Sequence, residues 1–216
     1  QEVARRVAHE IKNPLTPIQL SAQRLRKKFF EKAPDLDRVF DEATNVIITE
    51  VGSLKHMLDE FAKFARLPVP QMTRQRLQDV LLETAALYRA AQKDIELVLD
   101  LDEDLPPINF DREQLKRVFV NLFDNAIQAM NQKGRLWVST KYDTKRKRAV
   151  VTVADEGPGI APEDQERLFV PYFTRKKTGT GLGLAIVRRI ITDHDGQIQA
   201  GSNHPKGAVF TFDLPV

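Results

Sequence analysis

Apolar residues recur along the first third of the chain with a helical rhythm. Ile11, Leu15, Ile18, Ala22, Leu25 and Phe29 are spaced alternately four and three residues apart, and Ile47, Val51, Leu54, Leu58, Phe61 and Ala65 repeat the spacing. Each set lays one apolar stripe along a helix. Between them, Ala33-Pro34-Asp35-Leu36-Asp37 offers a proline and acidic residues suited to a tight turn and a helix start. Residues 1–66 therefore read as an antiparallel helical hairpin. A lone hairpin leaves part of each stripe wet, so a second copy should complete a four-helix bundle, and a homodimer is expected. Pro14 and Pro17 lie inside the first pattern, and the lost backbone donors predict a bend just after His9.

The rhythm stops at Arg66-Leu67-Pro68-Val69-Pro70-Gln71, and residues 67–73 read as a linker. Beyond it, residues 74–216 form a second domain. A helix is expected over about Arg74 to Lys93. Ile95, Leu97, Leu99 and Leu101 then alternate with polar residues as in a half-buried strand. A helix from Asp111 to Asn131, strands at Arg135–Tyr142, Ala149–Ala154, Gln197–Gly201 and Ala208–Leu214, and a helix at Leu182–His194 complete the pattern. Blocks of strands joined by short turns predict an α+β sandwich, one mixed sheet covered by helices. Glycine use agrees with this division. Only Gly52 precedes residue 134, whereas Gly157, Gly159, Gly179, Gly181 and Gly183 crowd together.

Composition removes several classes of function. With 42% hydrophobic and 29% charged residues, the 216-residue chain is globular in type. It has no apolar run of membrane-spanning length and no signal-peptide core at its start. The absence of cysteine excludes a disulfide scaffold, a thiolate metal site and a thiol nucleophile. Lys and Arg number 33 against 30 Asp and Glu, without a basic stripe, so nucleic acid is not an expected partner.

Four constellations carry chemistry. In His9-Glu10-Ile11-Lys12-Asn13-Pro14-Leu15, His9 lies about 200° around the helix from the seam positions, facing away from the bundle core. Glu10 can orient its ring through Nδ1–H and leave Nε2 as a nucleophile, and Asn13 is one turn on along the same face. Asn121 and Asn125, four apart on the helix from Asp111, present two amide oxygens to one magnesium ion or phosphate. Asp155-Glu156-Gly157-Pro158-Gly159 follows a strand, where a carboxylate can accept from an exocyclic amine and glycines admit a flat base. Gly179-Thr180-Gly181-Leu182-Gly183 opens a helix whose first N–H groups suit phosphate. The polar stretch between the last two motifs, about 161–178, has the character of a lid anchored by Phe169 and Phe173. Singly, each has an ordinary alternative: a solvated helix face, an Asp-Gly turn, a glycine-rich loop, core packing for the phenylalanines.

In this order, residues 9–15, 121–126, 155–160 and 168–185 resemble the H, N, G1, F and G2 boxes of two-component sensor histidine kinases, over nearly the whole chain. Asn121-x-x-x-Asn125-Ala-Ile-Gln128-Ala129 and Pro171-Tyr172-Phe173-Thr174-Arg175-Lys176-Lys177-Thr178-Gly179 are most similar to nitrogen-regulation sensors of the NtrY and NtrB type. The resemblance implies a dimerisation and phosphoacceptor hairpin followed by an ATP-binding domain of the GHKL type. It implies His9 as phosphoacceptor, Glu10 as its base or orienting partner, and Asn13 as the residue that positions water for dephosphorylation of the partner. Asn121 and Asn125 would hold magnesium and phosphate, Asp155 the adenine amine, and Gly157 and Gly159 the base pocket. Phe169, Phe173, Gly179, Thr180, Gly181, Leu182 and Gly183 would line the nucleotide and its lid. Many relatives carry lysine where Gln128 stands, so Arg175, Lys176 or Lys177 would supply the missing charge. ATP and magnesium are the implied cofactors, and a response-regulator receiver domain the implied partner. No direct membrane contact is expected of this cytoplasmic fragment of an inner-membrane sensor. Two alternatives remain open at this point: a GHKL-type ATPase that does not phosphorylate itself, and a non-catalytic scaffold or phosphatase.

Overall fold

The computed structural model describes residues 2–65, 67–175 and 179–216, with side chains for 11–55, 57–59, 62, 67–175 and 179–216. It divides into two compact units: Gln1–Leu67 with Thr174–Leu182, and Pro68–Phe173 with Gly183–Val216.

The first unit is the expected hairpin of α1 (Glu2–Phe30) and α2 (Leu36–Ala65). A Schellman closure ends α1. Lys32 takes φ +49°, its N–H donates to the Phe29 carbonyl at 3.2 Å, and the Ala33 N–H reaches the Lys28 carbonyl at 3.1 Å. Lys28 then pairs with Asp35 at 3.0 Å and Arg24 with Glu42 at 3.1 Å, which sets the two helices antiparallel. Pro14 and Pro17 both lie inside α1, which runs from Glu2 to Phe30 as one helix. The predicted stripes divide. Ile11, Ile18 and Leu25 are half-buried, as are Ile47 and Leu54, whereas Leu15, Ala22, Phe29, Val51 and Leu58 remain exposed. Phe61 and Ala65 lie outside the described side chains.

The second unit is the expected sandwich. Its helices are α3 (Leu77–Ala91), α4 (Arg112–Ala129) and α5 (Gly183–Asp193). The sheet is ordered β2 (Ile95–Leu101), β4 (Gly134–Asp143), β5 (Arg148–Asp155), β7 (Ala208–Pro215) and β6 (Gln197–Ser202). β2 and β4 run parallel and every other neighbouring pair antiparallel. Strict alternation along β5 and β7 buries Val151, Val153, Phe210 and Phe212 on one face. Phe119 of α4 packs between Phe123 and Phe212 with ring centroids about 6 Å from each, at 6.2 and 6.1 Å. The structure adds a two-stranded ribbon of β1 (Thr73–Gln75) and β3 (Ile108–Phe110). The helix expected from Arg74 accordingly begins at Leu77, because ribbon pairing takes the preceding residues.

The segment read as a linker is tied to the head of α4. The Pro68 carbonyl accepts from Gln114 Nε2 at 3.0 Å, and the Gln71 N–H donates to Asp111 Oδ2 at 2.8 Å. Asp111 also caps α4, accepting the Gln114 N–H through Oδ1 at 3.0 Å. Its own N–H donates to Nε2 of buried His194 at 3.0 Å, and His194 Nδ1 engages the Ile190 carbonyl at 2.8 Å. The two ring nitrogens thus take opposite roles in one fixed tautomer, joining the end of α5 to the start of α4. No helix among the described residues is long and apolar enough to cross a membrane.

Candidate functional site

One face of α4 forms the floor of the site. Asn121, Asn125 and Ala129 succeed one another at four-residue spacing and are all partly exposed, while Leu122, Phe123, Ala126 and Ile127 are buried beneath. At a rise of about 1.5 Å per residue, the floor is about 12 Å long.

Both ends of the floor are marked by glycines. At one end Gly183 is the first residue of α5, and a Cβ there would stand 2.7 Å from Asn121 Oδ1. Asn121 Nδ2 donates to the Arg117 carbonyl at 2.8 Å, which turns Oδ1 toward Gly183. An oriented amide oxygen thus meets the N–H-rich start of a helix, an arrangement that suits phosphate and its cation. At the other end, a Cβ on Gly157 would stand 3.1 Å from the Ala129 Cβ and 2.8 Å from Asp155 Oδ1. Substitution at either glycine would fill the floor's ends.

Asp155 closes β5 and is only 3% exposed. Its Oδ1 accepts the Gly157 N–H at 2.8 Å and the Ala208 N–H at 3.2 Å. Its backbone carbonyl accepts from Asn203 Nδ2 at 2.9 Å. Gly207, at φ +110°, passes so close behind that a Cβ would fall 1.8 Å from the Asp155 carbonyl oxygen. Gly159, at φ +83°, abuts the Gly207 carbonyl. Asn203 and Gly207 were not among the candidate residues. Their signal was present in Asn203-His204-Pro205-Lys206-Gly207, a turn sequence between two strands.

Asp124, between the two asparagines, points elsewhere. It is exposed and accepts from the Tyr88 hydroxyl of α3 at 2.6 Å. Burial, and then this carboxylate, push the Tyr88 phenol well above its ordinary value. Phe169 is buried and meets Phe210 of β7 edge-on at 6.4 Å. Phe173 lies under the Arg167 guanidinium at 4.7 Å. The first part of the expected lid, through Phe173, is therefore packed into the second unit through a 3-10 turn at Pro162–Asp164 and consecutive tight turns.

The second unit thus brings Asn121, Asn125, Asp155, Gly157, Gly159, Phe169, Phe173 and Gly183 into one body, whereas Gly179, Thr180, Gly181 and Leu182 belong to the first. Gly181 takes φ +65°. His9 and Glu10 lie on α1, their side chains outside the described residues, and Asn13 is exposed one turn further on. Lys176, Lys177 and Thr178 lie outside the described residues, and Arg175 is exposed.

Residues 1–68 match the His Kinase A (phospho-acceptor) domain, and residues 110–216 match the histidine kinase-, DNA gyrase B- and HSP90-like ATPase domain. The chain is 38% identical to the nitrogen regulation protein NtrY of Azorhizobium caulinodans, over 95% of this chain and 27% of that protein. It is 36% identical to the signal transduction histidine-protein kinase AtoS of Escherichia coli, over 97% of this chain and 34% of that protein. It therefore spans about a quarter to a third of these relatives. Among solved structures, histidine kinase ThkA in complex with response regulator protein TrrA matches with a TM-score of 0.73 and 29% identity, over 100% of this chain and 61% of that one.

Proposed function

The chain belongs to the sensor histidine kinase family, and from that premise we propose that it is a kinase core in which a nucleotide-binding unit phosphorylates His9. The observation that carries the reading is the α4 floor, with Asn121 against Gly183 at one end and Ala129 against Gly157, beside Asp155, at the other. A purine at Asp155 and a triphosphate reaching Gly183 would occupy its two ends. Residues 1–66 would serve as dimerisation and phosphoacceptor hairpin, 67–73 as linker and 74–216 as the ATP-binding domain.

In the proposed reaction His9 Nε2 attacks the γ-phosphorus of ATP. The Nε2–P bond forms as the bond from phosphorus to the β–γ bridging oxygen breaks, and ADP leaves with the electron pair. Glu10 holds the Nδ1 proton and stabilises the charge that develops on the ring. Magnesium bound with the substrate would neutralise phosphate charge, and the amide oxygens of Asn121 and Asn125 suit that hard cation. The chain's own contribution is chiefly position and electrostatics. An aspartate carboxylate of a receiver domain then takes the phosphoryl group from Nε2. Asn13, exposed on the His9 face, would orient water when that phosphate is removed.

The exposed half of the hairpin stripes supports a homodimer. The likeness to a kinase bound to its response regulator supports a receiver-domain partner. The NtrY likeness supports a role in nitrogen regulation. ATP as substrate puts the reaction in the cytoplasm. An ATPase without self-phosphorylation would need a carboxylate where Asn121 stands, and the neighbouring Asp124 is engaged by Tyr88.

The test is to supply the chain with magnesium and ATP labelled in the γ-phosphate, beside His9→Gln. Label that acid removes and base does not, absent from the variant and chased onto a receiver domain, is the expected result. Label retained in His9→Gln, or ATP turnover without protein-bound phosphate, overturns the reading.

A further inference from the structure

Asp155 is held by more than its own loop. Pairing of β5 with β7 ends at Ala154 opposite Val209, so Asp155 lies just past the ladder on that side while still facing Leu136 of β4 on the other. A side chain takes over where the ladder stops. Asn203 Nδ2 donates to the Asp155 carbonyl at 2.9 Å, its Oδ1 accepts the His204 N–H at 3.0 Å, and its own N–H donates to the Gly207 carbonyl at 2.8 Å. The donor and acceptor ends of the amide are thereby fixed, since reversing them would set Nδ2 against an N–H and Oδ1 against a carbonyl.

These bonds shape the turn between β6 and β7 around the carboxylate. The Asn203 N–H closes residues 203–207 into a loop, and Gly207 at φ +110° brings the chain against the Asp155 backbone. Ala208, next along, donates its N–H to Asp155 Oδ1 at 3.2 Å, and the Gly157 N–H reaches the same atom at 2.8 Å. Two donors on one oxygen set the rotation of the carboxylate. One belongs to the loop after β5, the other to the turn that Asn203 ties down. Asn203 is half-buried against Asp155, whereas His204, Pro205 and Lys206 beyond it are exposed.

We infer that Asn203 is a positioning residue for recognition of the base: it holds the β6–β7 turn so that the Asp155 carboxylate keeps the orientation in which it accepts from the exocyclic amine of adenine. The inference rests on the proposed ATP site, and it goes beyond that reading by assigning base discrimination to a residue that touches Asp155 rather than the nucleotide. Hydrogen bonds weaken steeply with angle, so a small rotation of the carboxylate loses the amine while contacts elsewhere along the nucleotide persist.

The test compares ADP with IDP, each with magnesium, on the full 216-residue chain. The inosine base carries a carbonyl where adenine carries the amine, so the ratio of the two dissociation constants reads recognition of that edge. The parent should bind ADP about tenfold or more tighter than IDP. Asn203→Asp keeps the acceptor for His204 and loses the donor to Asp155; its ratio should fall to within about threefold of unity, with the loss borne by ADP. Asn203→Ala, which adds no charge, should do the same. Partial loosening of the unit cannot mimic this result, because a smaller competent fraction weakens both nucleotides by one factor and leaves the ratio unchanged. Equal weakening of both, or an unchanged ratio with affinities intact, overturns the inference and leaves Asn203 a residue of the turn alone. A parent that binds ADP and IDP alike, or an Asp155→Asn variant that keeps the preference, overturns instead the adenine reading of Asp155, and the inference falls with it.

Discussion

The two units bury their apolar residues to different degrees, and the contrast says what each requires from outside. In the nucleotide unit Phe110, Phe119, Phe123 and Phe212 are fully enclosed by the unit's own helices and sheet. In the hairpin, among the described side chains, burial reaches only Pro14, Val39 and Ala43, while Phe29 is 63% and Val51 51% exposed. A sandwich can close over its core within one chain. Two helices cannot, since an apolar stripe broad enough for two neighbours has only one. Association is thus written into the hairpin, and ligand binding into the enclosed unit, whose rigid backbone can hold Asp155 and Asn121 in place.

The largest expected effect breaks this contrast at the hairpin. Val51→Glu combined with Leu58→Glu should abolish dimerisation, because each aliphatic side chain contributes about 1.5–3 kcal/mol when buried and an unpaired carboxylate in its place adds a further cost. Sedimentation equilibrium should show a monomer, with association weakened by about a thousandfold or more. AMPPNP binding in the other unit should be unchanged. A variant that stays dimeric would show that the exposed stripe is not the interface.

Next in size is Gly207→Ala in the nucleotide unit. At φ +110°, with a Cβ position 1.8 Å from the Asp155 carbonyl oxygen, alanine forces the backbone behind Asp155 to move. A loss of about 2–4 kcal/mol in unfolding free energy is expected, with nucleotide binding reduced and the dimer intact. Gly183→Ala separates function from stability within the same unit. Its Cβ meets only the end of the Asn121 side chain, at 2.7 Å, and alanine is a better helix former than glycine. Stability should change by less than about 1 kcal/mol, while AMPPNP affinity falls about tenfold as Asn121 Oδ1 is turned away. Equal affinity would mean that the end of the floor formed by Asn121 and Gly183 is not where the nucleotide lies.

The contrast between the units also decides what was legible in the sequence. Strands β4, β5 and β7 were readable because each is long enough to alternate and one face is buried, which the hydrophobic pattern reports directly. β1 and β3 were not, since three residues carry no period, and Pro106-Pro107 just ahead of β3 suggests a loop. Asn121, Asp155 and the glycines were legible as local motifs. Their supports were not: His194 meets Asp111 across 83 positions and Asn203 meets Asp155 across 48. Bonds from a side chain to distant backbone leave no spacing to read. In the hairpin the stripe itself was visible, but a spacing of four and three cannot say which half faces the partner helix within the chain and which faces a second copy.

The smallest expected effect tests whether charge, rather than apolar area, distinguishes the units. Each joins two helices through one carboxylate between cations: Asp35 with Lys28 and Arg38 in the hairpin, Glu83 with Arg112 and Lys116 between α3 and α4. The hydrogen bond from Lys28 lowers the Asp35 carboxyl below its ordinary value, and those from Lys116 and then Arg112 do the same to Glu83. A carboxyl depressed on folding contributes stability that is present above its unfolded value and lost as pH falls through the folded one. Lys116, raised chiefly by its hydrogen bond to Glu83, behaves oppositely, its contribution being complete below the ordinary lysine range and lost as pH rises beyond it. All these groups are open to water, so screening keeps the gain small and salt should erase it. Asp35→Asn and Glu83→Gln should each flatten the acid side of the urea-midpoint curve slightly and to a similar extent, and Glu83→Gln should also remove the alkaline decline due to Lys116. A large acid-side loss in only one unit would mean that ion pairing, and not the exposed stripe, sets the two apart.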